Sequence, residues 1–164
     1  ATLDITSGID STYDSYEFHF VNMHPATDNV PFKFQVNADG QTGFNEVMTT
    51  TVFRAWHNET DSVTSLDKNV SEDQAQGTAY QQITDYIGNR TDECTSGILT
   101  LYAPSSTTYV KHFVSRINGY TASNFSTDYS AAGYINTTAA IDEISFKFNS
   151  GNIDDGTIKM FGVS

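Results

Sequence analysis

Ala140-Ile141-Asp142-Glu143-Ile144-Ser145-Phe146-Lys147-Phe148-Asn149-Ser150-Gly151-Asn152-Ile153-Asp154-Asp155-Gly156-Thr157-Ile158-Lys159-Met160-Phe161-Gly162-Val163 is the stretch whose reading decides the fold. Ile144, Phe146 and Phe148 alternate with Glu143, Ser145 and Lys147. After the Ser150-Gly151-Asn152 and Asp154-Asp155-Gly156 turn residues, a second run follows over 157–163. Period-two alternation interrupted by Gly, Asn and Asp predicts two half-buried strands joined as an antiparallel pair. The stretch offers no nucleophile, phosphate cradle or metal cluster.

The same pattern recurs upstream. Tyr16, Phe18 and Phe20 alternate with Glu17, His19 and Val21 within a strand over 13–23. Phe32, Phe34 and Val36 mark a strand over 30–37, and further strands are expected at 2–5, 47–57, 97–103 and 107–120. Residues 25–29, 39–43 and 124–128 read as turns or loops, and a short strand is expected within 129–138. Between 58 and 89 the alternation weakens, and 73–87 fits either a short helix or a strand around 80–86. About eight to ten strands at this spacing predict an all-β chain. The expected architecture is an antiparallel β-sandwich, jelly-roll-like, forming a single domain over 1–164.

Composition narrows the function classes. The chain has 164 residues, a net charge of −12 from 20 acids and 8 bases, and 13% aromatic residues. Such an acidic chain has no basic patch for nucleic acid and is repelled by anionic lipid. No apolar run is long enough for a membrane-spanning helix, and no signal peptide is evident. Ala1 fits loss of an initiator methionine, or a processed or truncated product. Cys94 is the sole cysteine, so an intrachain disulfide is impossible. The acidic neighbours Asp92 and Glu93 disfavour its thiolate, which argues against a catalytic thiol.

Candidate sites are sparse. His19, His24, His57 and His112 have no ligand spacing, whereas zinc needs three or four convergent groups. Asp142-Glu143 and Asp154-Asp155 could offer oxygens to calcium beside Asn152, but they fit solvated turns better. Glu17, Glu46 and Glu143 are the carboxylates available for glycoside hydrolysis, without a recognisable setting. No Gly-x-Ser-x-Gly elbow is present. The chain is therefore read as no enzyme, with no cofactor and no metal. Trp56, Tyr102, Tyr109, Tyr120 and Tyr134 supply rings on which a sugar could stack, or which could fill the core. Trp56, His57, Tyr102 and Tyr134 are the candidate binding surface. Asn-x-Ser/Thr sequons at Asn58, Asn69, Asn89, Asn124 and Asn136 are read as unmodified.

Several segments carry a resemblance. Residues 9–16 (IDSTYDSY), 23–28 (MHPATD), 131–136 (AAGYIN) and 150–163 (SGNIDDGTIKMFGV) resemble small virion structural proteins of tailed bacteriophages, especially aquatic ones. The most specific part is the Ser-Gly-Asn-Ile-x-x-Gly-Thr-Ile-x-x-x-Gly run. The resemblance implies a non-enzymatic particle component made in the bacterial host cytoplasm and located in the virion. An outer capsid decoration subunit that forms homo-oligomers and contacts the major capsid protein or other virion proteins is the expected role. The alternative is a domain of a tail fibre or tail spike that binds a host receptor or surface glycan.

Overall fold

Tyr16, Phe18 and Phe20 all leave one face of a single strand and all are buried. They meet Phe32, Phe34, Phe146 and Phe148, buried rings from a second layer. The computed structural model describes residues 1–68 and 70–164. The described residues form twelve strands: β1 (Leu3–Ile5), β2 (Ser15–Pro25), β3 (Phe32–Ala38), β4 (Met48–Asn58), β5 (Thr64–Asp67), β6 (Ala75–Gly77), β7 (Gln81–Gln82), β8 (Thr95–Tyr102), β9 (Lys111–Tyr120), β10 (Phe125–Ile135), β11 (Ile141–Phe148) and β12 (Ile153–Val163). All named pairings are antiparallel. The small sheet runs β1-β11-β3-β7. The large one runs β12-β2-β8-β9-β10-β4-β5, with β6 also on β4.

The expected all-β sandwich is therefore the observed fold. Its jelly-roll character lies in one folded ribbon: β3 pairs with β11 in one layer while β4 pairs with β10 in the other. A β8–β9 hairpin inserted between β2 and β10 widens the large sheet. Rings from both layers interlock between the sheets. Phe146 of β11 packs at 5.5 Å from Phe18 and 5.2 Å from Phe20, both on β2, and Phe34 of β3 lies 4.8 Å from Phe113 of β9.

The C-terminal stretch departs from expectation. β11 and β12 are both strands, but they do not pair with each other. β11 lies between β1 and β3, whereas β12 adds to β2 at the edge of the other sheet. The connection is thus an arch that crosses the sandwich. Gly151 sits in it at φ 72°, and a Cβ there would run into Thr27. The arch is held by Ala26 N–H donating to Asn152 O at 3.0 Å and by the Ala1 ammonium donating to Asn152 Oδ1 at 3.1 Å. Alternation fixes which face is buried, but it is silent on which strand lies alongside.

Three further expectations are corrected. Residues 124–128 are not wholly a loop: β10 starts at Phe125 and is eleven residues long, not a short strand. Its opening looks polar because Ser126 and Asp128 point outward, while the inward residue Thr127 is buried and bonds Gly119 O through its hydroxyl. The strand expected from Thr107 begins only at Lys111. Residues 73–87 contain no helix, so of the two alternatives it is the strand within 80–86 that is present, as β7. The segment holds β6, β7 and a bridge at Ile87 that ties Val30 to Thr121.

The two outer faces differ. Over the small sheet, Gln35 is fully buried, and its Nε2 donates to the carbonyls of Glu46, Thr78 and Ala79 at 3.0–3.2 Å. Loops are thereby tied down across that face. On the large sheet, by contrast, Phe53, Ile98, Val114 and Phe161 of the outer face stay exposed.

Candidate functional site

Directly paired residues in neighbouring strands project to the same side of a sheet, so the register spells out the large sheet's outer face. One row reads Val163, Ser15, Tyr102, His112, Tyr134, Thr49 across β12, β2, β8, β9, β10 and β4. The next reads Phe161, Glu17, Thr100, Val114, Ala132, Thr51, and the third Lys159, His19, Ile98, Arg116, Ser130, Phe53. Val21 continues the face on β2, and Leu66, opposite Ala55, extends it onto β5. Val21, Phe53, Leu66, Ile98, Tyr102, Val114, Phe161 and Val163 are all at least 39% exposed. Large apolar side chains concentrated on one face of a soluble domain mark contact surfaces more often than isolated ones do.

Charge on this face is internally matched. Arg116 makes a two-nitrogen contact with Asp128 on β10, the shortest distance being 2.6 Å. Hydrogen bonding to Arg116 lowers the Asp128 pKa. Glu17 accepts from His19 at 2.8 Å, and His19 packs against Phe161 at 4.8 Å between ring centres. The three rows hold Glu17 against Arg116 and Lys159, and Asp128, one row further opposite Asn118 and Ala55, brings the count to two acids and two bases, so the excess acid of the chain lies elsewhere.

The four residues expected to form a binding surface are divided by the fold. Tyr102 and Tyr134 share a row with His112 between them, and the His112 and Tyr134 rings stand 6.4 Å apart. His57 is also on the outer face but at the opposite end, in a row with Tyr120 and Ser126, and it bonds Asp61 at 3.0 Å. Trp56 points the other way, toward the space between the sheets. Tyr109 lies in the loop before β9 and Tyr120 bonds Glu59, so the five rings do not make one platform.

Trp56 lines a second feature, a groove at the open edge of the sandwich. Its ring packs 5.0 Å from Phe125, with the Arg54 guanidinium 5.2 Å from its centre. Arg54 also donates to both oxygens of Asp85 at 2.8 and 2.9 Å and to Asp67 at 3.2 Å. Burial works against the Arg54 charge, but the two carboxylates outweigh it and raise its pKa. Behind this pair, the Tyr129 hydroxyl donates to Glu72 at 2.6 Å. Burial foremost, then Glu72, pushes that phenol far above its usual range.

The remaining candidates take structural places. His24 Nδ1 lies 2.6 Å from Glu93 O. Glu46 accepts from Ala38 N–H and Glu143 from Asn37 Nδ2. Asp142-Glu143 opens β11 while Asp154-Asp155 opens β12, so the length of β11 separates the two acidic pairs. Burial, then Asp39 and Glu143, raises the Asp142 pKa. Among the described residues, no three His, Cys, Asp or Glu side chains converge as metal ligands. Asn58 organises the β4–β5 turn, accepting from Ser62 and Val63 N–H, and Asn136 donates to Gln76. The Asn69 sequon lies outside the described residues.

Sequence reasoning missed two groups. The apolar outer row was hidden because Val114, Ile98 and Phe161 belong to alternating strands whose inward faces are also apolar. Gln74, Gln81 and Gln82 fall where the pattern is weakest, so only the three-dimensional edge reveals them. Compared with known proteins, the chain matches no family model, no curated protein and no solved structure.

Proposed function

We propose that this chain is a non-enzymatic structural protein of a phage particle, an outer capsid decoration subunit, and that copies of it associate through the outer face of the large sheet. The assignment to a particle rests on the resemblance of segments 9–16, 23–28, 131–136 and 150–163. The observation that carries the assembly is the row structure of β12, β2, β8, β9, β10 and β4: seven exposed apolar residues, with Leu66 of β5 as an eighth, and balanced formal charge, on a chain whose net charge is −12. Two such acidic chains repel over most of their surface, and this face is where that repulsion is least. Six strands about 4.8 Å apart and four alternating rows cover roughly 750 Å². A standard interface buries about 800 Å² per partner, so a second copy fits the available area.

Sedimentation of the intact chain at about 1 to 100 μM tests the association, a range that covers ordinary protein contacts. Wild type is expected to associate, and Val114→Asp with Phe53→Asp to leave a folded monomer. A monomeric wild type throughout that range overturns the association. Mass spectrometry of purified particles with copy counting tests the location. A count near that of the capsid subunit supports decoration, a handful moves the chain to the tail, and absence refutes the particle assignment.

A further inference from the structure

We infer that the open edge of the sandwich is a binding groove for a neutral oligosaccharide, independent of whether the outer face self-associates. Two cavities, of about 280 and 620 Å³, are both bordered by Arg54 and Tyr86 and so follow one another along the edge. The first is walled by Trp56, Tyr86 and Phe125. The second is walled by Tyr80, Gln74, Gln81, Gln82 and Lys33. Rings at one end and planar amides at the other match a ligand with both apolar faces and hydroxyl edges.

The decisive observation is hydrogen-bond supply. Gln82 is only 7% exposed, yet its Nε2 donates to nothing within the described residues. Among the described residues, Gln74 Oε1 and Trp56 Nε1 are also buried without a partner. Buried polar groups are normally paired, and an unpaired one calls for explanation. The three atoms are two donors and one acceptor, a set that suits a ligand able both to give and to accept hydrogen bonds. A hydroxyl does both.

Other polar groups here are already engaged and hold the groove open. Gln81 accepts from Thr50 Oγ1 at 2.8 Å and from Gln74 Nε2 at 3.1 Å. Asp85 is held by Arg54, and Asp73 by Lys68.

Charge and geometry weigh against the other ligand classes. The paired carboxylates of Asp73 and Asp85 and the acidity of the whole chain disfavour an anionic sugar or a nucleic acid. β7, which forms this edge, is two residues long and too short to recruit a peptide as an added strand.

Trp56 is the sole tryptophan, so its fluorescence and its indole N–H resonance report this groove alone. The intact protein would be titrated with cellotriose, maltotriose and chitotriose, with trigalacturonate as the charged probe. At least one neutral trisaccharide is expected to shift the Trp56 signal saturably, with a Kd of about 0.1–1 mM, and to move the Gln82 side-chain amide resonances. Gln82→Leu and, separately, Gln74→Met should each weaken that binding about tenfold, as expected for one lost hydrogen bond in a site that desolvates it. Two substitutions guard against one of them disturbing the fold. Val114→Asp on the outer face should leave binding unchanged, which separates this inference from the assembly proposal. No saturable shift with any neutral probe to about 10 mM, a scale set by weak binding, overturns the inference. So does binding that survives both glutamine substitutions, or a preference for trigalacturonate.

Discussion

Phe146→Ala tests the arch that carries the chain from one sheet to the other. Phe146 is fully buried on β11, and its ring lies 5.5 Å from Phe18, 5.2 Å from Phe20 and 6.0 Å from Phe32. Two of those rings belong to the opposite sheet. Truncating a buried Phe to Ala removes its transfer free energy and leaves a cavity, costing about 3–5 kcal/mol. The edge-to-face contact with Phe20 is worth a further ~0.5–1.5 kcal/mol as a coupling term. For a chain of this length each kcal/mol lowers Tm by about 2–4 °C, so a loss near 4 kcal/mol lowers it by about 8–16 °C. Phe161→Ala is the control: it lies on β12, is 46% exposed, and packs its ring on His19. Its cost should stay near 0.5 kcal/mol, the usual range for surface changes. Urea unfolding of both variants measures the difference directly, and a double-mutant cycle of Phe146 with Phe20 should return coupling across the sandwich. Equal costs for the two substitutions, or additivity between Phe146 and Phe20, would falsify the arch.

Other consequences are equally direct. Arg54→Ala strands the buried Asp85 carboxylate and should cost about 3–5 kcal/mol in urea unfolding, whereas the double variant Arg54→Met with Asp85→Leu should recover most of it. Recovery failing in the double variant would mean that packing, and not the stranded charge, sets the loss. Tyr129 has a folded pKa raised above its unfolded value of about 10, so it stabilises the fold below that pH and its contribution is lost as pH rises above it. Stability should fall by about 1.4 kcal/mol per pH unit there for each such phenol, and Tyr129→Phe should flatten the slope by one proton; an unchanged slope refutes the assignment. Burial, with Asp92 adding to it, raises the Cys94 pKa above 9.0. Its alkylation by iodoacetamide should therefore still be accelerating above pH 9, and a plateau near neutral pH would contradict the raised pKa of this half-buried thiol.

What the sequence discloses is the facing of side chains; what it conceals is adjacency. Tyr16, Phe18 and Phe20, and Phe32, Phe34 and Val36, could be placed inward from period-two alternation alone, because only the sandwich interior accepts so many large rings. The partner of each strand depends on turns and on distant contacts. Ser150-Gly151-Asn152 has the composition of a hairpin turn yet makes an arch, since Ile144 and Phe146 gain more by packing within the β1-β11-β3 layer. Thr127 hid β10 because a hydroxyl buried against a neighbouring carbonyl looks like a loop residue in one dimension. Trp56 and His57 are adjacent in sequence and project to opposite faces of β4, so no reading that treats them as one patch survives the pleat. Tyr102 and Tyr134 do share a row, though 32 positions of chain separate them.

The sandwich's asymmetry connects these observations. One outer face is closed by loops that Gln35 fastens, which leaves the small sheet poorly suited to further contacts. The other face is broad, apolar in places and charge-balanced, while the polar groove opens at the edge where β7 meets the segment leading into β6. A partner on the large sheet would cover Val114 and Phe161 but would not reach Gln82, which belongs to the other sheet. The two surfaces can therefore be loaded at once, and their variants should act independently. Val114→Asp should change the oligomeric state and leave sugar binding intact, and Gln82→Leu should do the reverse. Loss of both properties in either variant would mean that assembly and the groove are coupled, and the division of labour between face and edge would fall.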